Sequence, residues 1–318
     1  MSEEAILLEP GILDGVSKGT IDKLKNAGIT NVETLSRQTA KDLADKASMG
    51  EATAEKAIKL ALKFTSSGYI TGNQLRDQRE TRTRLKTGVK LLDEILGGGI
   101  ESETTTEISG ASTSGKTQLC HMFSIYAQLS IEEGGLGGEV AWVDTEDTFR
   151  PERILEICEN RGFDGEEFLK RIHHGHAKSA PHQKLLIEQL YDLSSKHNIK
   201  LIIVDSMIAH LRGEYLGRGN LSPRQNELGS MLQTLMKVAQ STKATVIYTN
   251  QVLSNPAQLY GDPEKPTGGN VMGHAATTRL HIRKGRENSR IIKLTKSPYL
   301  PEAQAAFLIT NEGISDPE

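Results

Sequence analysis

The sequence predicts an α/β domain built on a mainly parallel sheet and preceded by a small all-α domain. After residue 88, apolar β-branched runs alternate with helical stretches, which is typical of parallel strands buried on both faces. Before residue 67, short helical patterns alternate with small-residue turns, and no run reads convincingly as a strand. We therefore expect a helical domain over residues 1–66, a polar linker over 67–87 and the α/β domain over 88–318.

Apolar runs rich in β-branched residues mark the strands of the predicted sheet. They are TTTEIS (104–109), EVAWVD (139–144), LIIVDS (201–206), ATVIYTN (244–250), RLHIR (279–283), RIIKLT (290–295) and AFLIT (306–310). The last three runs follow one another with little helix between them. We therefore expect an antiparallel extension at one edge of the sheet.

Composition and charge restrict the classes of function. The chain has 318 residues and a net charge of −3, so any nucleic-acid contact needs local basic patches. The two cysteines, Cys120 and Cys158, are far apart, which excludes a disulfide framework and favours a reduced, intracellular protein. The acidic first residues do not resemble a secretory signal, and no apolar run approaches the ~20 residues that span a bilayer. We expect a cytoplasmic, nucleoid-associated protein without a membrane partner.

Residues 1–66 contain an internal repeat. LDGVSKGTIDKLKNAGI (13–29) is similar to SMGEATAEKAIKLAL (48–62), because each has a glycine turn, a threonine and a short amphipathic helix. The repeat fits a pair of helix-hairpin-helix turns, whose backbone N–H groups can bind a phosphate. It fits equally well a pair of capped helices in a small bundle, and the repeat alone leaves both interpretations open.

GASTSGKT (110–117) has the G-x-x-x-x-G-K-T spacing of a phosphate-binding loop. Gly110 and Gly115 permit a loop whose N–H groups converge on phosphate oxygens, and Lys116 brings a positive charge to the β- and γ-phosphates. The Thr117 hydroxyl is a ligand for Mg²⁺. A strand precedes the loop and a helix follows it, which is the context that the motif requires, so we expect a nucleoside triphosphate site.

Polar side chains at the ends of later strands extend this prediction. Asp205 ends LIIVDS and can hold Mg²⁺ through water. Glu146, in VDTED (143–147), is the preferred candidate for the base that orients the attacking water, because its longer side chain reaches farther from the strand end. Asp144 and Asp147 remain alternatives. Gln251 could sense the γ-phosphate or could merely satisfy backbone groups.

The order of these motifs and several longer stretches resemble archaeal RadA recombinases, members of the RecA-like strand-exchange ATPases. The matching stretches are DTEDTFRPER (144–153), GEYLGRGNLSPRQNELG (213–229), TNQV (249–252), GGNVMGHAATTRL (268–280) and SPYLPEA (297–303). The resemblance implies a RecA-like P-loop ATPase core behind a small helix-hairpin-helix domain. It also implies an ATP- and Mg²⁺-dependent filament on single-stranded DNA that exchanges strands with homologous duplex DNA. Implied partners are single- and double-stranded DNA, further copies in a filament or ring, and recombination mediators.

The resemblance assigns roles to individual positions. ATP and Mg²⁺ are bound by Gly110, Ala111, Ser112, Thr113, Ser114, Gly115, Lys116, Thr117 and Gln118, with Asp205 as a further metal ligand, and the catalytic residues are Glu146, Lys116 and Gln251. Arg153 lies against the adenine. DNA contacts come from Arg218 and Arg224 in a first loop, and from a second loop over residues 253–275 that includes His274. Without the resemblance, the two arginines would be interpreted as solvated surface charge.

The sequence departs from the family pattern at four places. Each helix-hairpin-helix turn lacks one glycine, in Gly15-Val16-Ser17 and in Ser48-Met49-Gly50, so duplex binding there is less secure. Tyr69 and Gly72 replace the Phe and Ala of the linker motif that joins neighbouring subunits, and we expect them to keep that polymerisation role. Asp147 replaces a glycine and adds a negative charge beside Glu146, which could raise the pKa of Glu146 or simply face solvent.

Lys296 is the fourth departure, because it stands where the family has an acid just before Ser-Pro. In the family, this segment covers the neighbouring subunit's nucleotide, so Lys296 and Pro298 are expected to contact that nucleotide. The ammonium of Lys296 would take the position of a bound cation near the γ-phosphate. We therefore expect ATPase activity with little dependence on added potassium.

Three other functions compete with strand exchange. A recombinase paralogue or mediator would bind ATP and DNA but exchange strands poorly, and the altered hairpin glycines keep that alternative open. A P-loop kinase or clock-type ATPase would have neither the paired basic loops nor the linker motif. A structural filament that uses ATP only as a switch would be insensitive to the substitution Glu146→Gln.

Overall fold

The computed structural model describes residues 6–36, 38–65, 69–254 and 264–317. The chain divides into two compact units, Met1–Thr81 and Arg82–Glu318. The elements of the first unit are helices: α1 Lys18–Asn26, α2 Val32–Ser36, α3 Ala40–Lys46, α4 Glu51–Thr65 and α5 Gly72–Glu80. Leu8, Ile21, Leu24, Leu35 and Leu43 are almost fully buried and form its core together with the alanines of α4. This unit is therefore built on a hydrophobic core of its own.

The two turns of the internal repeat have equivalent structures. Gly15 and Ser48 both have a positive φ, 75° and 48°. Lys56 of α4 donates a hydrogen bond to the carbonyl oxygen of Gly15 (2.9 Å), and Lys23 of α1 donates one to the carbonyl oxygen of Ser48 (3.0 Å). Each repeat therefore caps the turn of the other. Ser48 adopts the left-handed conformation without the glycine that favours it.

The predicted linker contains a helix. Thr71 caps α5, and its side chain and that of Gln74 form a reciprocal capping box. This local signal was missed because α5 has no apolar face, and none of its residues is buried. Tyr69, just before the helix, is fully exposed. Gly72 is the first helical residue and has open space around it.

The second unit is an α/β domain. Its strands are β1 Arg84–Leu85, β2 Ile100–Glu101, β3 Thr105–Gly110, β4 Glu139–Asp144, β5 Ile172–His176, β6 Ile199–Asp205, β7 Thr245–Ser254, β8 Glu264–Pro266, β9 Thr278–Lys284, β10 Ser289–Lys296, β11 Ala303–Thr310 and β12 Gly313–Ser315. Its helices are α6 Lys90–Ile95, α7 Lys116–Tyr126, α8 Pro151–Arg161, α9 Gly165–Lys170, α10 Ala180–Lys196, α11 Ala209–Glu214, α12 Leu221–Thr242 and α13 Gly269–Ala275, with a 3₁₀ turn over Arg218–Asn220.

The main sheet has the strand order β12-β11-β10-β9-β3-β7-β6-β4-β5, and β8 pairs with β7. The strands from β9 to β5 in this order are parallel. The pairs β9–β10, β10–β11 and β11–β12 are antiparallel. The mainly parallel sheet and its antiparallel extension at one edge are therefore confirmed.

Both faces of the central strands are buried. In β6, Leu201 and Ile203 pack in a core with α7 and α8, while Ile202 and Val204 pack on the opposite face with α10 and α12. This burial explains why these strands read as continuous apolar runs. The edge strand β5, IHHGH, has no such run, and the sequence did not reveal it.

Parallel pairing places the carboxyl ends of β3, β4, β6 and β7 at one edge of the sheet. Gly110, Asp144 and Asp205 lie at these ends, and Gln251 pairs with Gly110. Ligands of open α/β sheets bind at this edge, so the fold brings the predicted site residues together. Among the described residues, none of the helices is both long and apolar enough to cross a membrane.

Candidate functional site

The phosphate-binding loop connects β3 to α7, and its two glycines are required by space at Gly110 and by a positive φ at Gly115. A Cβ at Gly110 would lie 2.5 Å from the carbonyl oxygen of Ile282. A Cβ at Gly115 would lie 2.8 Å from Ile309, and the φ of Gly115 is 110°. The ammonium of Lys116 donates hydrogen bonds to the carbonyl oxygens of Gly110 (3.0 Å) and Ala111 (2.9 Å). The lysine therefore lies across the loop, where a phosphate would meet it.

The middle of the loop carries two features that fit a bound anion. The Ser114 hydroxyl is buried and has no hydrogen-bond partner among the described residues. Thr113 has a φ of 61°, a conformation that a β-branched residue rarely adopts. Ser112, beside it, is exposed. A loop with an unpaired buried hydroxyl and a strained backbone is typical of a site that a ligand completes.

A cavity of about 590 Å³ opens beside the loop. Gln118 and Arg153 line it, and the Arg153 Nε donates a hydrogen bond to the Gln118 side chain (2.8 Å). Arg153 also donates to the carbonyl oxygens of Thr310 and Asn311. Arg290 lines the same cavity and donates to the carbonyl oxygen of Ser114 (3.0 Å). The sequence did not single out Arg290, because it comes from the antiparallel extension far along the chain.

Thr117 and Asp205 form the candidate metal site. The Thr117 hydroxyl donates a hydrogen bond to the Asp205 carboxylate (2.7 Å). Burial raises the pKa of Asp205, while hydrogen bonds from Thr249 and Thr117 oppose that rise. A hydroxyl and a carboxylate are hard oxygen donors of the kind that Mg²⁺ prefers, so this pair fits the predicted ion.

Glu146 belongs to a chain of hydrogen bonds that crosses the site. Its carboxylate accepts from the Ser206 hydroxyl (2.6 Å) and from the side-chain NH₂ of Gln251 (2.9 Å). The side-chain oxygen of Gln251 accepts in turn from Arg212 of α11 (2.9 Å). Gln251 therefore bridges two charged side chains, and its amide does not serve merely to satisfy backbone groups. Arg212 was not predicted, since no local pattern marks it.

The competing acids of VDTED have other environments. Asp144 is buried and accepts hydrogen bonds from the backbone N–H groups of Glu146, Thr148 and Phe149. Burial by itself would raise the pKa of Asp144, but these bonds and one from His174 lower it to about 2. Asp144 therefore organises the loop that carries Glu146. Asp147 faces solvent with a φ of 54°, so the position has a backbone that favours glycine.

His121 is a site residue that sequence reasoning missed. It is buried on α7, where its Nδ1 lies 2.8 Å from the carbonyl oxygen of Thr117 and its Nε2 accepts from the Arg150 N–H (3.1 Å). Burial lowers the pKa of His121 to about 4, so the ring is neutral near neutral pH. Its ring stacks against Phe149 and also contacts Trp142.

The predicted DNA-binding residues lie on the segments that follow β6 and β7. Arg218 lies in the 3₁₀ turn, and its side chain is outside the described residues. Arg224 lies on α12, and its Nε is buried without a hydrogen-bond partner in the described part of the chain. His274 is exposed on α13. Residues 255–263 of the predicted second loop lie outside the described residues.

Lys296 and Pro298 do not line the cavity beside the phosphate-binding loop. The ammonium of Lys296 donates to the carbonyl oxygens of Gly273 (3.0 Å), His274 (3.2 Å) and Ala276 (2.7 Å). An ammonium has three N–H donors, so these bonds to the end of α13 use its donors within the chain. Pro298 is exposed. The structure thus places Lys296 at the carboxyl end of α13.

A buried polar network at the base of the second loop was also missed. Glu107 of β3 is fully buried and pairs with Arg279 of β9. Asn250 donates to Glu107 (2.7 Å) and to the carbonyl oxygen of Thr267 (2.9 Å). A glutamate inside the apolar run TTTEIS is a signal that could have revealed this network, because a buried carboxylate needs partners.

The sheet order, the loop between β3 and α7 and the acids at the strand ends define a nucleotide-binding protein with a RecA-like α/β core. The model of the Rad51 family matches residues 78–317. The chain is also 43% identical over 313 residues to the "DNA repair and recombination protein RadA" of Methanoculleus marisnigri, covering 95% of this chain and 97% of that protein. This chain belongs to the Rad51 family.

Proposed function

We infer that this protein is a DNA repair and recombination protein with DNA-dependent ATPase activity. Its family and its full-length similarity to a protein of that name support this inference. We further propose that it assembles as a filament on single-stranded DNA, with ATP and Mg²⁺, and exchanges strands with homologous duplex DNA. A mediator that exchanges strands poorly is less favoured, because the relative that matches almost the whole chain is itself named a recombination protein.

The chain Glu146–Gln251–Arg212 is the observation that carries this proposal. Arg212 lies on α11, directly before the predicted first DNA loop, and Gln251 lies directly before the predicted second loop. A change in the first loop would therefore reach the carboxylate of Glu146 through two hydrogen bonds, and a change in the second loop through one. Such a connection fits an ATPase whose rate depends on DNA, whereas a kinase or a clock-type ATPase has no need of it.

Each site residue has a defined task in the proposed reaction. Mg²⁺ would be held by Thr117 and Asp205 and would neutralise charge on the phosphates. Lys116 adds a further positive charge beside the loop N–H groups. Glu146 accepts a proton from the attacking water and aligns that water. Gln251 and Ser206 fix the orientation of the Glu146 carboxylate. Arg153 and Gln118 form the wall of the cavity against which the adenine of ATP is proposed to lie.

The first unit is proposed to be a helix-hairpin-helix domain. The equivalent turns at Gly15 and Ser48 and their reciprocal lysine contacts support this assignment. The side chain of Ser17 already accepts a hydrogen bond from the N–H of Thr20, so one donor of the first turn is occupied. We therefore propose that this domain contributes weakly to duplex binding.

Self-association is proposed to use Tyr69. A groove of about 190 Å³ lies beside the edge strand β5 and is lined mostly by apolar side chains, among them Val143, Leu186, Leu190 and Leu193. Tyr69 is exposed and offers an aromatic ring with one polar end. We propose that Tyr69 of one subunit binds this groove of the next, and that assembly supplies the Lys296 and Pro298 segment to the neighbouring nucleotide.

The experiment that tests the function compares the wild type with Lys116→Ala and Glu146→Gln. We expect the wild type to form D-loops with ATP and to hydrolyse ATP faster when single-stranded DNA is present. Lys116→Ala should lose both activities. Glu146→Gln should lower turnover by roughly 10²–10⁴-fold, the usual contribution of a general base, while nucleotide binding remains.

The outcomes separate the competing functions. ATP turnover that does not respond to single-stranded DNA would exclude a recombinase and favour a nucleotide enzyme without DNA. DNA-stimulated turnover without D-loop formation would favour a mediator. Full strand exchange by Glu146→Gln would show that ATP serves only as a structural switch.

A further inference from the structure

We propose that Glu139, His173 and His197 form a binding site for a divalent transition-metal ion of the zinc type. Their ligand atoms lie within 4.8 Å of one another. The Glu139 Oε2 lies 2.6 Å from the His173 Nε2 and 3.3 Å from the His197 Nδ1. Two imidazoles and one carboxylate are the ligand set of several catalytic zinc sites. This proposal does not depend on the proposed function.

The site lies away from the nucleotide. Glu139 begins β4, His173 is the second residue of β5, and His197 ends α10 just before β6. These positions are at the amino ends of parallel strands, whereas the phosphate-binding loop lies at the carboxyl end of β3. The cluster is therefore separate from the candidate metal site at Thr117 and Asp205.

Hydrogen bonds and strand pairing fix the backbones of the three residues that carry the ligand atoms. The N–H of Glu139 donates to the carbonyl oxygen of Asn198 (2.8 Å), and the N–H of His197 donates to that of Leu193 (2.9 Å). His173 is paired with Ala141, so its side chain lies on the same face of the sheet as that of Glu139. Side chains fixed by regular elements form more accurate metal sites than side chains on loops.

The side chains are accessible but not fully solvated. His173 and Glu139 are 23% and 24% exposed, and His197 is 40% exposed. An ion could therefore enter, bind three protein atoms and keep water as its remaining ligand. The nearby cationic side chains bind other groups: Lys200 donates to the carbonyl oxygen of Thr242, and Arg171 donates to that of Gln128.

A hydrogen-bonded cluster without a metal is the alternative. In it, both imidazoles would donate protons to the same carboxylate oxygen. Metal binding instead requires the lone pairs of the His173 Nε2 and the His197 Nδ1, so each ring would carry its proton on the other nitrogen. The two states make opposite predictions for added metal, which allows a direct test.

The test is a titration of the full chain, without a purification tag, with Co²⁺ in the presence of excess Mg²⁺. Mg²⁺ occupies oxygen-rich sites and competes poorly for imidazole ligands. We expect one equivalent of Co²⁺ to bind and to give a visible absorption band, and Zn²⁺ to displace it. His173→Ala and His197→Ala should each weaken binding at least about 10-fold, because even loss of a residue that only supports a metal ligand costs that much.

His182→Ala is the matched control, because His182 lies on α10 outside the cluster, and it should bind Co²⁺ like the wild type. Glu139→Gln provides a second variant with little change in shape. Zn²⁺ should raise the Tm of the wild type and leave the Tm of Glu139→Gln unchanged. Absence of a one-equivalent site in the wild type, or unchanged Co²⁺ binding by His173→Ala, would overturn the proposal.

Discussion

His121 connects the phosphate-binding helix with the loop that carries Glu146, the proposed general base. Its two ring nitrogens contact the backbone of Thr117 and of Arg150, so a single neutral tautomer satisfies both groups. A protonated ring could not accept from the Arg150 N–H, and both Arg150 and Arg153 also oppose a positive charge there. His121 therefore has a structural role, and protonation of its ring would disturb the contacts around the candidate site.

We predict that His121 makes the α/β unit less stable in mild acid. Its pKa in the folded protein is about 4, below the ordinary value of 6.5, so the unfolded chain takes up the proton first. The contribution to the free energy of unfolding is complete above pH 6.5 and is lost as the pH falls toward 4. The difference between the two pKa values corresponds to about 3 kcal/mol in the free energy of unfolding.

Urea unfolding followed by the fluorescence of Trp142, the single tryptophan, checks this prediction. Trp142 packs against the His121 ring, at 5.0 Å between centroids. At pH 7, His121→Asn should have a lower free energy of unfolding than the wild type. The wild-type decrease in that free energy between pH 6.5 and 4 should be mostly absent in the variant. His182→Asn should behave like the wild type. The Asp144 carboxylate, with its pKa of about 2, loses its contribution only at lower pH.

Three non-glycine residues have a left-handed backbone conformation in the hairpin turn, the phosphate-binding loop and the loop of Glu146. They are Ser48, Thr113 and Asp147, with φ between 48° and 61°. The family resemblance had implied a glycine at the positions of Ser48 and Asp147. The conformation is thus kept by the surrounding structure although the residue disfavours it, at a cost of roughly 1–2 kcal/mol for each residue.

At the scale of elements, the carboxyl end of helix α13 is capped by a side chain from strand β10. Lys296 of β10 donates to carbonyl oxygens at the carboxyl end of this helix, which carries a partial negative charge. The interaction places a fixed positive charge at the carboxyl end of α13. Low potassium dependence remains a prediction, which is based on the acid that the family has at the position of Lys296.

We predict that Lys296→Asp makes the ATPase dependent on added potassium. The wild type should hydrolyse ATP at similar rates in sodium and potassium salts when DNA is present. The variant loses charge-assisted hydrogen bonds that are each worth roughly 1.5–3 kcal/mol, and should recover activity only as potassium rises. Lys293→Asp, an exposed substitution on the same strand, should leave the salt response of the wild type. A steep potassium requirement of the wild-type ATPase would contradict the prediction.

The edge strand β5 illustrates a different kind of element. It contains three histidines and no regular alternation, yet it pairs with β4 over its whole length. Pairing with an already formed strand supplies hydrogen bonds that do not depend on an apolar pattern. The same strand contributes His173 both to the proposed metal site and to the apolar groove, so a bound metal would hold the groove's outer wall.

At the scale of the whole molecule, we expect a second copy of the chain to complete the proposed nucleotide site. We predict that Tyr69→Ala leaves monomers or short oligomers on a sizing column, because it removes the ring that binds the groove. Leu186→Glu, which places a charge in the groove, should have the same effect. Phe64→Ala removes another exposed aromatic ring from the first unit and should leave assembly intact. Unchanged assembly of Tyr69→Ala would refute this role.

Much of the core was predictable because its signals are local. The phosphate-binding loop needs glycines at fixed spacing, and strands buried on both faces must be apolar along their length, as LIIVDS and EVAWVD are. Acids at the ends of such strands then meet at one edge of the sheet, which is why the sequence can nominate Glu146 and Asp205 as candidates. Helix α5 and strand β5 were missed because neither has an apolar face.

The sequence by itself determined the class of the core, the phosphate-binding loop and the acids beside it. The tertiary structure decided that Gln251 bridges Glu146 and Arg212, that Lys296 caps α13, and that Glu139 meets two histidines. The physical reason is that these contacts join residues far apart in the chain. Their distances depend on strand order and register, which arise from the packing of the whole sheet and leave no periodic pattern in the sequence.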